Sequence, residues 1–461
     1  MILENRTWDE ISVGDEASIS RHCTLNDFYV FATASGNHNP MHLSKHDGDG
    51  DGTPEALAPS IWVGSLVSAV LGNKLPGPGT LYRAQSFRFL GRAKAGDDLT
   101  ITVKVTDKKD DRCLTLATTV SGPDGAVLLE GEAEVQAPER KLRFDDLEVP
   151  GLILERHRHF DALLERAEPL EPIPTAVVAP EEPASLGGAV LAAKHTIIRP
   201  ILVGCATKIV RAAEEGGDDI AGFEIVDEPD HTRAAARAVA LVHEGRAEAV
   251  MKGHLHTDQL LGQIVKRDGG LRTGRRLSHV FVMDVPGLDK ILMVTDAAIN
   301  ITPDLQEKAD IIQNAIDLAL AIGVEEPKVG VLSAVETVNP KIPSTIDAAV
   351  LSKMAERGQI RGGIVDGPLA MDNAINLEAA RTKGLKSLVA GRADILLVPN
   401  LEAGNMLAKE LTFAAHAESG GIVLGAQVPV ILTSRADDEK ARLASCAIAA
   451  IYREWQRKSL L

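Results

Sequence analysis

The chain has 461 residues, 45% of them hydrophobic and 25% charged, with a formal net charge of −16. That length favours more than one domain, and the composition is that of ordinary globular proteins rather than disordered or fibrous ones. The acidic balance argues against non-specific nucleic-acid binding, so any anion site has to be a local constellation of Arg side chains and helix amino termini.

The opening MILENRTWDE has no signal-peptide core, and no run reaches the ~18 apolar residues of a membrane span. The four cysteines, Cys23, Cys113, Cys205 and Cys446, form no CxxC pair, which fits neither a zinc site nor a secreted disulfide framework. A cytoplasmic protein with free thiols is expected.

Two textures meet near residue 145. In the first, residues 61–71 form an apolar stretch with small residues, suited to a buried helix. From 86 to 136 the chain reads as strands: Ile101, Val103 and Val105 alternate with polar neighbours. Turns are expected at 107–111 and at Gly122-Pro123-Asp124-Gly125. Antiparallel strands wrapped around a helix follow. The run Asp47-Gly48-Asp49-Gly50-Asp51-Gly52 matches half of an EF-hand loop, but its twelfth position is Ala58, so an acidic surface loop is the better reading.

After residue 145 short apolar runs recur at 176–179, 201–203, 249–251, 280–283, 291–294, 329–332, 364–365, 395–398 and 430–432. Helical stretches at 232–244 and 306–322 lie between them, the second with Ile311, Ile312, Ala315, Ile316 and Ala319 on one face. Repeated β–α units mean mainly parallel sheets covered by helices. A span of this length predicts two lobes around a cleft.

Polar and glycine-rich segments fall where such a fold places ligand loops. Lys252, His254 and His256 follow the run ending at Met251. Arg272, Thr273 and Arg275 precede another run. Asp296 and Asn300 follow 291–294, Asp366 follows 364–365, and Asn400, Gly404 and Asn405 follow 395–398. The run 430–432 leads into Thr433-Ser434-Arg435-Ala436-Asp437-Asp438 and then a helix from about Glu439. A Ser-Arg pair between a strand and a helix amino end suits an anion, since Arg435 brings a fixed guanidinium fork and the helix end adds partial positive charge. Plain helix capping by Ser434 and Asp437 competes with that reading. His254 and His256 have no evident third metal ligand, so no metal site is expected and a polar lining of the cleft is preferred. Neither a GxGxxG nor a Walker A pattern occurs.

The stretches GLRTGRRLSH (270–279), TDAAIN (295–300), DGPL (366–369), NLEAGN (400–405) and TSRAD (433–437) resemble, in that order, the phosphate acetyl/butyryltransferase family. The resemblance covers about 150–461. It implies a two-lobed α/β unit, lobe 1 from about 150–280 plus 425–461 and lobe 2 from about 281–424. It also implies a cleft for coenzyme A and acyl phosphate and, as a rule, a homo-oligomer. Carried over, Arg435 would hold the phosphoryl group, Ser434 would donate to the developing oxyanion, and a following carboxylate, Asp437 or Asp438, would take the thiol proton. The other loop residues named above become candidate substrate contacts. Coenzyme A and inorganic phosphate are then substrates, with no tightly bound cofactor.

Residues 1–145 carry Asp27-Phe28, Ser35-Gly36-Asn37-His38-Asn39-Pro40-Met41-His42 and GNKLPGPG (72–79). These are similar to the MaoC-like hot-dog hydratases, which add water to 2-enoyl-CoA with an Asp and a His five residues apart. The His is His42, but Asn37 stands at the Asp position. An amide can orient water but cannot accept its proton, and loss of such a group typically costs about 100- to 10,000-fold. His38 and Asp47 lie near enough in sequence to be considered as compensating groups. The whole resembles fusions of such a hydratase with a phosphate acyltransferase. The expected fold is therefore an α+β hot-dog domain followed by a two-lobed α/β domain with mainly parallel sheets.

Overall fold

The computed structural model of the chain describes residues 3–43, 56–145, 158–433 and 438–459. It contains two compact units, Met1–Leu154 and Glu155–Leu461.

The first unit contains strands β1 (Leu3–Glu4) and β2 (Glu16–His22), helices α1 (Leu25–Ser35) and α2 (Ser60–Asn73), and strands β3 (Leu81–Phe89), β4 (Asp98–Lys109), β5 (Cys113–Ser121), β6 (Val127–Gln136) and β7 (Arg143–Phe144). Five of these strands form an antiparallel sheet in the order β2-β4-β5-β6-β3. On β4, Leu99, Ile101, Val103 and Val105 are buried at every second position, the period of a sheet with one covered face. The cover is α2, whose Trp62, Val63, Val67, Val70 and Leu71 are buried. A side chain at Gly64 would lie 2.7 Å from the Phe87 ring, so the small residue lets helix and sheet approach. The hairpin between β4 and β5 turns slightly later than the sequence predicts. Lys108 donates from Nζ to the carbonyls of Trp8 (2.7 Å) and Ile11 (2.8 Å), which holds β4 extended through Lys109. The acidic run 47–52 and Asp47 lie outside the described residues.

The second unit alternates helices and strands: α3 (Arg158–Ala167), β8 (Ile173–Val178), α4 (Pro183–Lys194), β9 (Ile198–Gly204), α5 (Ala206–Gly216), β10 (Glu224–Asp227), α6 (His231–His243), β11 (Ala249–Lys252), α7 (Thr257–Ile264), β12 (Ser278–Asp284) and β13 (Leu292–Thr295). Then come α8 (Leu305–Ala321), β14 (Lys328–Leu332), α9 (Pro343–Glu356), β15 (Ile364–Leu369), α10 (Met371–Ile375), α11 (Leu377–Thr382), β16 (Ile395–Leu397), α12 (Leu401–Phe413), β17 (Glu418–Leu424), β18 (Val430–Ile431) and α13 (Glu439–Ser459). The face of α8 drawn from the sequence is buried, and Asp304 with Glu307 forms a capping box at its start.

All eleven strands join one sheet in the order β10-β9-β8-β11-β18-β17-β12-β13-β16-β14-β15. The strands of the two expected lobes thus share one sheet, with the chain returning through β18 between β11 and β17. Pairing is parallel except where β12 meets β13 and β17, and where β17 meets β18. β17 gives little sequence signal because it begins Glu418-Ser419-Gly420-Gly421, and glycine weakens strand propensity. Its central position between two strands overrides that weakness.

Those glycines have a packing reason. A Cβ on Gly421 would sit 2.3 Å from the Leu432 carbonyl oxygen and 2.9 Å from Nε2 of His279, and one on Gly420 would meet Ile448 of α13 at 2.8 Å. On α4, a Cβ at Gly188 would lie 2.5 Å from Cδ of Arg442, so the Gly187-Gly188 pair lets α13 seat a buried arginine. Overpacking of this kind costs about 1–3 kcal/mol. Gly421→Ala should therefore lower unfolding free energy by about that amount in urea titrations, and an unchanged midpoint would contradict the packing described.

Candidate active site

The carboxyl end of β18 opens into a cavity of about 740 Å³. The hollow exists because β18 stops after Ile431 while its neighbour β17 and the next strand β12 run on, pairing Ser419 with Met283 and Glu418 with Asp284. Lys252 enters from the end of β11, Leu255, His256 and Thr257 from the turn after it, and His279 and Phe281 from β12. Leu432 and Thr433 continue β18, Asp438 and Ala441 open α13, and Asn405, Ala408, Lys409, Thr412 and Phe413 of α12 form the opposite wall.

Several of these groups are withdrawn from water. Lys252 is 4% exposed, Thr433 3% and His279 0%. Arg442, itself buried, donates from Nη1 to Thr433 Oγ1 at 2.7 Å, so a guanidinium stands directly behind a cavity-lining hydroxyl. An Arg side chain keeps its charge under essentially all conditions. Burial pushes the His279 imidazole below its ordinary 6.5, against the upward pull of Asp296 and of the Leu432 carbonyl, so it is neutral near pH 7. Its Nε2 lies 3.5 Å from that carbonyl. Its Nδ1 is buried with no hydrogen-bond partner among the described residues, a state that costs about 1–3 kcal/mol.

Of the residues expected from sequence, Lys252, His256, Asn405 and Asp438 line this cavity. Asp438 also accepts from the Ala441 amide at 2.9 Å, which caps the first turn of α13. Ser434, Arg435 and Asp437 lie outside the described residues; Thr433 and Asp438, which flank that segment, both line the cavity.

The other candidates sit apart from the lining. His254 pairs through Nδ1 with Glu182 at 2.8 Å. Arg272 bridges to Ala426, Thr273 donates to the Gly425 carbonyl at 2.7 Å, and Arg275 pairs with Asp317 of α8. Asp296 and Asn300 form a buried knot. The Asp296 carboxylate accepts from the amides of Ala298 (2.9 Å), Ile299 (3.1 Å) and Asn300 (3.1 Å), while Asn300 donates to the Leu277 carbonyl at 2.8 Å. Asp366 accepts from the Gly367 amide at 2.8 Å. The NLEAGN segment locks α12: Asn400 caps it through the Ala403 amide at 3.0 Å, and a Cβ on Gly404 would be 2.6 Å from Val398. Asn405 donates to the Ala297 carbonyl at 3.3 Å. Of the residues in this group only Asn405 is also part of the cavity lining; the others are engaged in contacts within the fold. Among the described residues no cluster of three metal-ligating side chains occurs.

Sequence reading missed His279, Thr433 and Arg442 as members of the site. Arg442 had a usable signal, a charge inside the apolar face of α13. His279 stands in the GLRTGRRLSH stretch but begins a strand, so its inward direction follows only from pairing.

A second polar cluster lies at the ends of β8 and β9. Glu181, with 4% of its side chain exposed, accepts from Lys208 (3.0 Å), His231 (3.1 Å) and the Cys205 amide (3.0 Å). Burial alone would raise its carboxyl, but the hydrogen bonds from Cys205, His231 and Lys208 outweigh it and hold the group below 4.5.

In the first unit, Asn37 is exposed just after the left-handed Gly36 that ends α1, and its Oδ1 accepts from the Asn39 amide at 3.3 Å. His42 is buried and its Nδ1–H donates to the Leu57 carbonyl at 2.7 Å, so the lone pair is on Nε2.

Comparison with known proteins agrees in both units. Residues 230–450 match the family described as phosphate acetyl/butaryl transferase, and residues 11–122 match the MaoC like domain. The chain is 60% identical over 293 residues to a phosphate acetyltransferase of Rhizobium meliloti, covering 64% of this chain and 93% of that protein. It is 49% identical over 260 residues to the phosphate butyryltransferase of Clostridium acetobutylicum, covering 56% of this chain and 86% of that one. A solved branched-chain phosphotransacylase from Enterococcus faecalis V583 matches at 32% identity and a TM-score of 0.54, covering 61% of this chain and 99% of that one.

The Glu181 contact makes a pH prediction. A carboxyl lowered by folding contributes stability above its unfolded value and loses it as pH falls through the folded one. Glu181→Gln should therefore be less stable than the parent near neutrality, with the gap closing as pH falls below 4.5 and through the lowered folded value. A gap that persists in acid would show that the ion pairs are not its source.

Proposed function

The chain belongs to the phosphate acetyl/butyryltransferase family and is a phosphate acyltransferase, and from that premise we propose how its parts carry the reaction. A short acyl group, acetyl or butyryl, moves between coenzyme A and inorganic phosphate in the cavity at the end of β18. A phosphate oxygen attacks the thioester carbon and a tetrahedral oxyanion forms. The C–S bond then breaks, and the sulfur leaves with its electron pair and recovers a proton; the reverse direction retraces these steps.

The observation that carries this reading is the convergence of Lys252, Thr433 and the Arg442 guanidinium behind it on one hollow at a strand end. A buried donor is strongest where negative charge develops out of water. Ser434 and Arg435 follow Thr433 directly, and in this reading Arg435 holds the phosphoryl group while Ser434 donates to the oxyanion. Asp437 or Asp438 handles the thiol proton. Coenzyme A and phosphate are substrates, and no tightly bound cofactor is required. Residues 150–461 form the transferase part and residues 1–145 the hydratase-like part. In this reading, as the family resemblance implies, the protein works as a homo-oligomer, and a cytoplasmic setting suits its four free cysteines.

The MaoC-like domain holds a CoA thioester and hydrates it poorly or not at all. His42 has a lone pair on Nε2, but Asn37 supplies an amide where proton transfer needs a carboxylate.

Two experiments test these assignments. Arg435→Ala should reduce phosphate-dependent release of CoA by at least about 100-fold with the fold intact; wild-type turnover would sink the site assignment. With crotonyl-CoA, the parent should show little loss of enoyl absorbance and Asn37→Asp should gain about 100-fold; fast hydration by the parent would reject the degenerate reading.

A further inference from the structure

The wall of the cavity supplied by α12 runs out to solvent. Asn405, Ala408, Lys409, Thr412 and Phe413 all line the cavity, and their spacing of three and four residues puts them on one face of the helix. Exposure changes along that face. Ala408 is 3% exposed, Lys409 lies open to water, and the Phe413 side chain is 73% exposed. From Asn405 to Phe413 the helix rises about 12 Å, so the face is a track from the interior to the rim. Its inner part is apolar, for Ala408 packs in one cluster with Ala417 and Phe281, which line the cavity too. A cation follows one residue on, and an open aromatic ring follows one turn beyond the cation. A ligand that fits is a slender arm within, an anion further out and a flat ring at the mouth. Coenzyme A carries these parts in that order: the pantetheine arm, the diphosphate and the adenine.

We propose that this face of α12 reads the nucleotide end of coenzyme A: adenine stacks on the Phe413 ring and the diphosphate pairs with the Lys409 ammonium. The pantetheine arm passes Ala408 on its way to the end of β18. The inference rests on the acyltransferase reading and adds to it the groups that hold the part of the substrate remote from the chemistry. Every base has a flat face that an aromatic side chain can cover, and such stacking strengthens binding by roughly 5- to 100-fold. A free adenine nucleotide offers the same ring and phosphates without the arm. A second copy of the chain is the other occupant that would cover an exposed ring. The test has an arm for each.

The test measures phosphate-dependent thiol release by the full chain from acetyl-CoA and from acetyl-pantetheine, which lacks the nucleotide. Phe413→Ala should lower kcat/KM for acetyl-CoA by about tenfold and leave that for acetyl-pantetheine at the parent's value. Phe413→Trp, which keeps an aromatic face, should restore acetyl-CoA. Lys409→Ala should lower kcat/KM for acetyl-CoA by about threefold at low salt, a loss that fades as salt is added. It should do the same to acetyl-dephospho-CoA, because both carry the diphosphate. ADP should compete with acetyl-CoA in the parent and about tenfold more weakly in Phe413→Ala; equal competition in both overturns the proposal. Equal losses with acetyl-CoA and acetyl-pantetheine, or no loss with either, overturn it as well. A Phe413→Ala protein that sediments as a smaller species and loses activity alike on both thioesters assigns the ring to a contact between copies, which also overturns it. The ring is open to water, so its removal leaves the core intact. If the parent releases no thiol from either thioester, the acyltransferase reading of the cavity falls. If it does, and both variants keep the parent's preference for acetyl-CoA, only the role given to α12 falls.

Discussion

The close approach of β17 to its neighbours at Gly421 is the constraint on which the site depends. With no side chain there, the Leu432 carbonyl and the His279 ring reach each other across the strand. β18 can then end against a sheet that continues past it. A Cβ there would lie 2.3 Å from the Leu432 carbonyl oxygen, so a larger residue would force the strand end or the ring to shift. The same device recurs on α4, where Gly188 admits the stem of Arg442, so two positions without Cβ atoms put a buried guanidinium and a buried imidazole around one cavity.

An acidic chain that handles phosphate has an electrostatic difficulty, since its overall field repels the substrate. The second unit answers it locally. Lys252 and Arg442 are nearly sealed from water, where charge–charge attraction is screened far less than at the surface. Many exposed cations are occupied elsewhere: Arg275 with Asp317, Lys290 with Asp394, Arg246 with Glu224. Lys252 at the cavity and Arg442 behind it thus sit in a dry wall, while Lys409 on the opposite side is exposed.

The sequence motifs divide into two kinds once their contacts are known. Lys252, His256, Asn405 and Asp438 reach the cavity. Asp296, Asn300, Asn400 and Gly404 instead cap, brace and space the elements around it. A motif in a single chain reports both kinds alike, because a buried hydrogen-bond knot and a ligand contact both favour short polar residues and glycine at strand ends. Burial and partners separate them.

The sequence by itself determined the two textures, the alternation on β4, the buried α2, the face of α8 and the order of loop motifs, because periodicity and turn chemistry are local properties of the chain. It also carried Asn37, an amide where the resemblance to the MaoC-like hydratases implies an Asp. It did not give the single eleven-stranded sheet, the strand β17 or the inward turn of His279. Those depend on which strands pair across more than a hundred residues, and a glycine-rich strand or a lone histidine acquires its meaning only from the neighbours that pairing supplies.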